Sequence, residues 1–294
     1  SAGYVSIDTH VHGILSPDSA VTHEQRITSM LAEGVDFFVP TDHDTTHDMS
    51  DEIAAMGASD LIGTAPSDEI TTFIYGHFNV WPLEVDPDSI IGGALDWGRG
   101  PGFPSEGAYD LSPSEIFASF DPGDQVIQIN HFNSDGLGHF SNLGIDTVAV
   151  PPASIPHVSR CAGGFYADLP CNRPVCLGGA NDSVSCSVDA ECPGGECHVP
   201  PYGRDCSGGG VCTQTEATLG SYLRLDPALT NLYDDGYTAL EVWIESNRSQ
   251  MDLFRGDNLA DWAGLLNQGS YKTGIADSDT HNRVSEQSGG PRTY

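Results

Sequence analysis

Four apolar, β-rich runs of this sequence end in residue types that bind metal ions. The histidines and aspartates concerned are Asp8, His10, His12, Asp42, His43, His131, Asp279 and His281. Side chains at positions i and i+2 of a strand project to the same face, so His10 and His12 can hold one cation, although two partly buried histidines would show the same spacing. The carboxyl ends of parallel strands lie at the same edge of a sheet. Because ligating residues recur at four strand ends, the sequence predicts a metal site at that edge.

Glu69 and His77 lie in another apolar segment, SDEITTFIYGHFNVWPL. A carboxylate can bridge two cations through its two oxygens, whereas an imidazole cannot, so a site with several ions needs such a residue. Glu69 is the candidate for that role. The spacing fits equally well a solvated carboxylate at a strand edge and, for His77, a turn histidine after Gly76.

Outside the segment that holds the cysteines, apolar runs alternate with helical patterns, which is typical of βα units around a mainly parallel sheet. The predicted strands are residues 4–12, 36–42, 70–83, 125–132, 239–245 and 273–279. Capping boxes at Thr22 and Ser112 predict two helix starts, and Asp257 is expected to cap a third helix with an apolar stripe. We expect residues 1–150 and 220–294 to form one domain, interrupted by a cysteine-rich insertion at 151–219.

All eight cysteines fall between residues 161 and 212, among many Gly, Pro, Ser and Asp residues. This pattern predicts a disulfide framework formed in an oxidising compartment, and hence a secreted, periplasmic or other extracellular location. A structural zinc module is the rival interpretation, but the segment lacks a Cys-x-x-Cys pair. Motifs begin at residue 8 and end at residue 281, so we expect further domains beyond both ends.

The chain is strongly acidic, with 42 Asp and Glu residues against 11 Lys and Arg and a formal net charge of −31. Such a surface offers no basic face to phosphate backbones, so nucleic acids and anionic membranes are excluded as expected partners. Divalent cations are attracted instead. The remaining histidines, including His23, His47, His139, His157 and His198, are expected in loops or at the surface.

Taken in order, DTHVH, TDHD, the segment around Glu69, NHF and DSDTH resemble the motifs of the PHP (polymerase and histidinol phosphatase) superfamily. The segment EITTFIYGHFNVWPL is similar to the carbaryl-hydrolase-like branch of that superfamily. The resemblance covers residues 5–150 and 238–294. It implies an α/β fold, a distorted seven-stranded (β/α) barrel of PHP type with a disulfide-rich loop insertion, and two or three divalent ions (Zn, Mn or Fe).

Matched motif by motif, the resemblance also implies ligand sets. One ion would take His10, His12, Glu69 and Asp279; a second, Glu69, His77 and His131; a third, His43 and His281, with Asp42 as a ligand or supporting carboxylate. The family often supplies another histidine or aspartate shortly after the first motif. Here Asp18 is the candidate for that position.

The expected function is that of a secreted, multinuclear metal-dependent hydrolase acting on a small-molecule ester. The resemblance implies a phosphomonoester, a phosphodiester, or a related carbamate or aryl ester. Expected catalytic roles fall to Glu69, to Asp42, or His281 if it is not a ligand, as a proton shuttle, and to Arg283 as a phosphate clamp, although Arg283 fits a surface arginine equally well. Glu241 is expected to support the site from a neighbouring strand. The alternative is a secreted PHP-like scaffold or filament protein with structural metals; self-assembly is compatible with either function.

Overall fold

The structure is a computed structural model. It describes residues 3–72, 75–98, 111–134, 137–143, 145–147, 153–154, 160–162, 175–177, 180, 189–198, 211–213, 233–244, 248–283 and 287–294.

The strands and helices of the described residues follow one another along the chain. They are β1 Ile7–Val11, α1 His23–Ala32, β2 Phe37–Pro40, α2 Ser50–Ala55, β3 Gly63–Thr64, β4 Asp68–Thr71, β5 His77–Trp81, α3 Pro113–Ala118, β6 Val126–Ile129, α4 His139–Leu143, β7 Ile145–Asp146, β8 Ala153–Ser154, β9 Arg160–Ala162, β10 Val175–Leu177, β11 Glu196–His198, β12 Val211–Thr213, β13 Ala239–Ile244, α5 Arg248–Asn267 and β14 Thr273–Asp277.

These strands form two main sheets. One has three strands in the order β1-β2-β3, all parallel, and the other has five in the order β14-β13-β6-β5-β4. In the larger sheet β14, β13 and β6 run parallel, whereas β5 is antiparallel to both β6 and β4. Three two-stranded antiparallel ladders, β7-β8, β10-β11 and β9-β12, lie in the chain segment between β6 and β13.

The predicted seven-stranded (β/α) barrel is wrong, because within the described residues the strands make these two separate sheets and no closed barrel. The segment predicted as one strand at 70–83 folds into the antiparallel hairpin of β4 and β5. The sheets meet at single bridges, of which Val11–Thr280 and His43–Glu69 are both parallel. Each bridge lies beside a predicted ligand, so the junction between the sheets is where the site forms.

Each sheet packs on its own apolar cluster. The smaller cluster includes Val11 and Phe38 from the three-stranded sheet and Ile27, Met30 and Ile53 from α1 and α2. The larger cluster joins the five-stranded sheet to α3, α4 and α5, with side chains such as Ile70, Phe78, Ile116, Phe140 and Leu265. His139 is not a surface loop residue: it is buried at the start of α4, and burial lowers its pKa to about 4.

The local helix signals have mixed outcomes. Both predicted capping boxes are confirmed, Thr22 with Gln25 at the start of α1 and Ser112 with Glu115 at the start of α3. The third cap is wrong, because α5 begins at Arg248 and passes through Asp257.

Most of the cysteine-rich insertion lies outside the described residues. Cys192 is buried and disulfide-bonded, but no complete bridge lies within the described residues, so the predicted framework stays a prediction. The domain boundaries at 150 and 220 fall outside the described residues. None of the described helices is long and apolar enough to cross a membrane.

Arg26 is a fully buried cation on α1. Its Nε donates to the carbonyl oxygen of His12 at 2.9 Å, and its Nη2 donates to the carbonyl oxygen of Thr280 at 2.9 Å. Its Nη1 donates to the hydroxyls of Thr280 and Ser288 at 3.1 and 3.0 Å. The guanidinium therefore joins the chain beyond β1 to the chain beyond β14, which carry His12 and Asp279.

Replacing Arg26 with methionine should lower the free energy of unfolding by about 3 kcal/mol or more, because buried acceptors lose charge-assisted hydrogen bonds. Urea titration followed by circular dichroism measures this change. Arg283→Gln, which removes an exposed arginine, is the matched control. An Arg26→Met loss no larger than that of the control contradicts the role given to Arg26.

Candidate metal centre

The predicted ligands come together at the junction of the two sheets. His10 lies on β1, Glu69 on β4 and His77 at the start of β5, while His131 follows β6 and Asp279 follows β14. Because β5 is antiparallel to β6, its first residue lies at the edge where β6 ends. The Val11–Thr280 and His43–Glu69 bridges bring the remaining ligands, His12, His43 and His281, to the same place.

Glu69 lies at the centre of this cluster and is fully buried. Its Oε1 is 3.3 Å from His10 Nε2, 3.2 Å from His77 Nδ1 and 3.6 Å from His131 Nε2. Its Oε2 is 3.4 Å from His12 Nε2 and 2.9 Å from His43 Nδ1. Each carboxylate oxygen thus faces a different set of imidazoles, which is the arrangement that a bridging carboxylate requires.

Asp279 supplies the second carboxylate of the cluster. Its Oδ1 lies 3.1 Å from His10 Nε2 and 3.1 Å from His12 Nε2. His10, His12 and Asp279 together form one group of donors that could hold an ion, His10, Glu69 and His131 a second, and His43, Glu69 and His77 another.

Asp18 joins a further group at the outer side of the cluster. Its Oδ2 lies 3.3 Å from His43 Nε2 and 3.3 Å from His281 Nε2, and the ring of His281 stacks on that of His12 at a centroid distance of 3.9 Å. These four residues form the donor group that corresponds to the predicted third ion. The side chain of Asp18 is 51% exposed, so this side of the cluster opens to solvent.

The donor distances are compatible with metal ligation. Ligands bound at 2.0–2.1 Å around a tetrahedral ion lie roughly 3.3 Å from one another, close to the 3.1–3.4 Å by which the imidazole Nε2 atoms of His10 and His12 approach carboxylate oxygens. In addition, His10 Nε2 and Glu69 Oε2 are buried without a hydrogen-bond partner. Buried polar atoms without partners are costly, and shared ions would satisfy them.

A second layer of polar side chains sets the orientation of the imidazoles. The Nδ1 of His10 lies 2.7 Å from Glu241 Oε1, and the Oε2 of Glu241 accepts the backbone N–H of His131. Because the Nδ1–H of a neutral His10 ring donates to Glu241, the lone pair of that ring is on Nε2, which faces Glu69. The Nδ1 of His281 likewise lies 3.0 Å from the carbonyl oxygen of Asp279, which leaves its Nε2 lone pair towards Asp18.

The backbone is strained at two of the ligands. Non-glycine residues with positive φ in the described chain are Asp44, His131 and Asp279, with φ of 51°, 27° and 46°. Such conformations are unfavourable for residues with a Cβ and persist where surrounding contacts hold them, often at functional sites. Two of the three belong to the donor groups around Glu69.

The electrostatics of the cluster favour cations. Burial by itself would lower the pKa of His10, yet the carboxylates of Asp279 and Glu69 raise it well above its usual value. Burial would raise the pKa of Glu69, yet the imidazoles of His10 and His43 hold it well below the usual range. Against burial, Glu69 also raises the pKa of His43 to about 9. Burial dominates at His77 and lowers its pKa, which keeps that imidazole neutral for ligation.

Asp42 and Arg283 lie outside the donor groups described above. Asp42 is fully buried, and its Oδ1 accepts the backbone N–H groups of Gly13 and Ser16 at 2.6 and 3.0 Å. This carboxylate therefore organises the turn after His12, while its Oδ2 is buried without a hydrogen-bond partner. Arg283 is exposed.

Two supporting residues, Asn130 and Gln128, were missed among the predicted site residues. Asn130 donates to Glu69 Oε1 at 2.9 Å and to Asn79 Oδ1 at 2.7 Å. Gln128 donates to Asp277 Oδ2 at 2.8 Å. The signal was available for both, because they alternate with isoleucines in QVIQINHF and so form a polar face on an otherwise apolar strand.

No protein-family model matches this chain, and no curated protein matches it. The resemblance to the PHP superfamily therefore rests on the motifs themselves and stays a proposal.

Glu241→Gln should weaken metal binding by roughly 10- to 100-fold, because the amide holds the His10 ring less firmly and lowers its basicity. Competition between the protein and a chromogenic zinc chelator measures the affinity. Glu84→Gln, which changes an exposed glutamate, is the matched control. Equal zinc affinity in the two variants contradicts the orienting role of Glu241.

Proposed function

We propose that this protein is a multinuclear metal-dependent hydrolase of small-molecule esters, related to the PHP superfamily and closest to its carbaryl-hydrolase-like branch. The observation that carries the proposal is the placement of Glu69, whose two oxygens each face a separate set of imidazoles. A purely structural ion needs one closed set of ligands, whereas a bridged pair of ions with an open side is typical of hydrolytic sites.

Two or three divalent ions (Zn, Mn or Fe) would be held by the donor groups around Glu69. Closely spaced ions of this kind supply a water activated near neutral pH and polarise the ester group under attack. The buried imidazoles and carboxylates would determine where such ions lie. Glu241 orients His10, Asn130 donates to Glu69, and Asp42 holds the turn after His12.

Where the outer donor group holds no ion, His281 is the candidate for proton transfer to the leaving group. It lies on the solvent side of the cluster with its side chain 22% exposed, and its Nε2 faces Asp18. Asp42 is less suited to that role, since it is fully buried and already accepts two backbone N–H groups. Proton transfer needs a group that reaches both the substrate and solvent, which favours His281.

The residues near the cluster favour an ester with an apolar group over a small phosphate. Ile14 and Leu15 directly follow His12 and Gly13 in the chain and are exposed. The exposed Ile91 lies beside the loop after His43, because its carbonyl accepts the N–H of Thr46 at 3.0 Å. These side chains would contact an aryl or alkyl leaving group, as in aryl carbamates and aryl esters.

A substrate panel tests the proposal. The metal-loaded protein is assayed with p-nitrophenyl phosphate, bis(p-nitrophenyl) phosphate, p-nitrophenyl acetate and an aryl N-methylcarbamate. We expect hydrolysis of at least one ester class, and Glu69→Gln should lower kcat/KM by at least about 100-fold, because the ions contribute several kcal/mol to the transition state.

The control for that assay is Glu84→Gln, which should retain wild-type activity. Metal-loaded protein that hydrolyses none of the four substrates would contradict the proposal and favour a scaffold with structural ions. Equal activity of Glu69→Gln and Glu84→Gln would contradict the role of the bridging carboxylate.

A further inference from the structure

A second group of metal-ligating side chains lies where α1 meets α2, and it shares no residue with the groups around Glu69. His23 is the first residue of α1, Glu52 lies in α2, and His47 lies in the loop that precedes α2. One donor atom from each of the three lies within 4.8 Å of the other two. Three side chains of ligating types thus converge from two separate parts of the chain.

The contacts within this group explain only some of its polar atoms. His23 Nδ1 lies 3.0 Å from Glu52 Oε1, and His47 Nε2 lies 3.7 Å from the same oxygen. The two imidazole rings are stacked, with centroids 4.4 Å apart and planes inclined by 29°. Glu52 Oε1 thus faces one nitrogen of each ring, Nδ1 of His23 and Nε2 of His47.

The Nε2 atoms of His23 and His47 are both buried without a hydrogen-bond partner. A simple ion pair between His23 and Glu52 satisfies Nδ1 and leaves both Nε2 atoms without a partner, which costs about 1–3 kcal/mol for each atom. Protonating both rings is no solution, because two stacked imidazolium ions repel each other. A cation bound by His23 Nδ1, His47 Nε2 and Glu52 Oε1 would give His47 Nε2 a partner.

We propose that His23, His47 and Glu52 form a further site for a divalent transition-metal ion, with Zn²⁺ as the ion of choice and water as the fourth ligand. Two imidazoles and a carboxylate are a ligand set that zinc accepts. The side chains are 17%, 22% and 31% exposed, which leaves a path for the ion and the water. For binding, the distances of Glu52 Oε1 from His23 Nδ1 and His47 Nε2, now 3.0 and 3.7 Å, would both change to roughly 3.3 Å. This requires only a small rotation of partly exposed side chains.

An ion at this position would have a structural consequence. The loop that carries His47 begins just after β2, with Asp42 and His43, and His47 pairs with Ser67 ahead of β4. Holding His47 to α1 and α2 would restrain the loop that places His43 beside Glu69. The ion would therefore stabilise a loop at the edge of the metal centre and would not belong to the centre itself.

Zinc stoichiometry tests the site directly. The protein is stripped with a chelator and titrated with Zn²⁺ by isothermal titration calorimetry. Wild type should bind one more ion per chain than His47→Gln or Glu52→Gln, because each variant lacks one of the three ligands. Glu69→Gln should keep this ion while losing ions from the centre, so the two proposals can fail separately.

Asp51→Asn, an exposed carboxylate next to Glu52 on the same helix, is the matched control and should keep the full stoichiometry. In wild type, Zn²⁺ should also protect His23 and His47 from diethyl pyrocarbonate, as mapped by mass spectrometry, and this measurement needs no variant to fold. Equal stoichiometry in wild type, His47→Gln and Glu52→Gln overturns the proposal, as does modification of His23 and His47 that Zn²⁺ leaves unchanged.

Discussion

The arrangement around Glu69 depends on the cost of burying charge. A carboxylate with no exposed surface loses its hydration, and this is tolerated only where opposite charges or hydrogen-bond donors replace the water. The ion-pair partners that the structure gives Glu69 are all histidines, which are uncharged when they act as metal ligands. Neutral imidazoles around buried carboxylates leave negative charge that divalent cations are suited to balance.

The rest of the fold serves this cluster by bringing two sheets together. The three-stranded sheet supplies His10, His12 and His43, and the five-stranded sheet and the loops after its strands supply Glu69, His77, His131 and Asp279. Arg26 holds the two sheets at one of their junctions through the carbonyl groups of His12 and Thr280. A buried cation with fixed hydrogen-bond directions can hold both chain segments in one geometry.

Local features were predictable from the sequence, and long-range pairing was not. The capping boxes at Thr22 and Ser112 depend on residues three positions apart, and both form as predicted. The single strand predicted at 70–83 fails because Gly76, with φ of 90°, lies in a reversal of the chain there. At that point an added Cβ would lie 2.5 Å from the backbone nitrogen of His139, a contact between distant parts of the sequence. The predicted closed barrel is wrong for a similar reason. Strands such as β3 are short, and the two sheets are joined by single bridges where complete ladders were expected.

The candidate ligands could be named from strand periodicity and residue type, and all ten of them lie in the described part of the chain. The supporting residues were harder to find. Arg26 occupies a core position in a helix where periodicity predicts an apolar side chain. His23 and His47 were expected at the surface, and only the meeting of α1 and α2 places them together with Glu52.

The presence of ions around Glu69 is the claim on which the proposed chemistry depends most. Anomalous diffraction at the zinc, manganese and iron edges, from crystals of the purified protein, locates and identifies such ions directly. We predict two or three peaks beside Glu69, one within bonding distance of His10, His12 and Asp279 and another within bonding distance of His77 or His131. A map with no anomalous peak beside Glu69 after incubation with these metals would contradict the proposed centre.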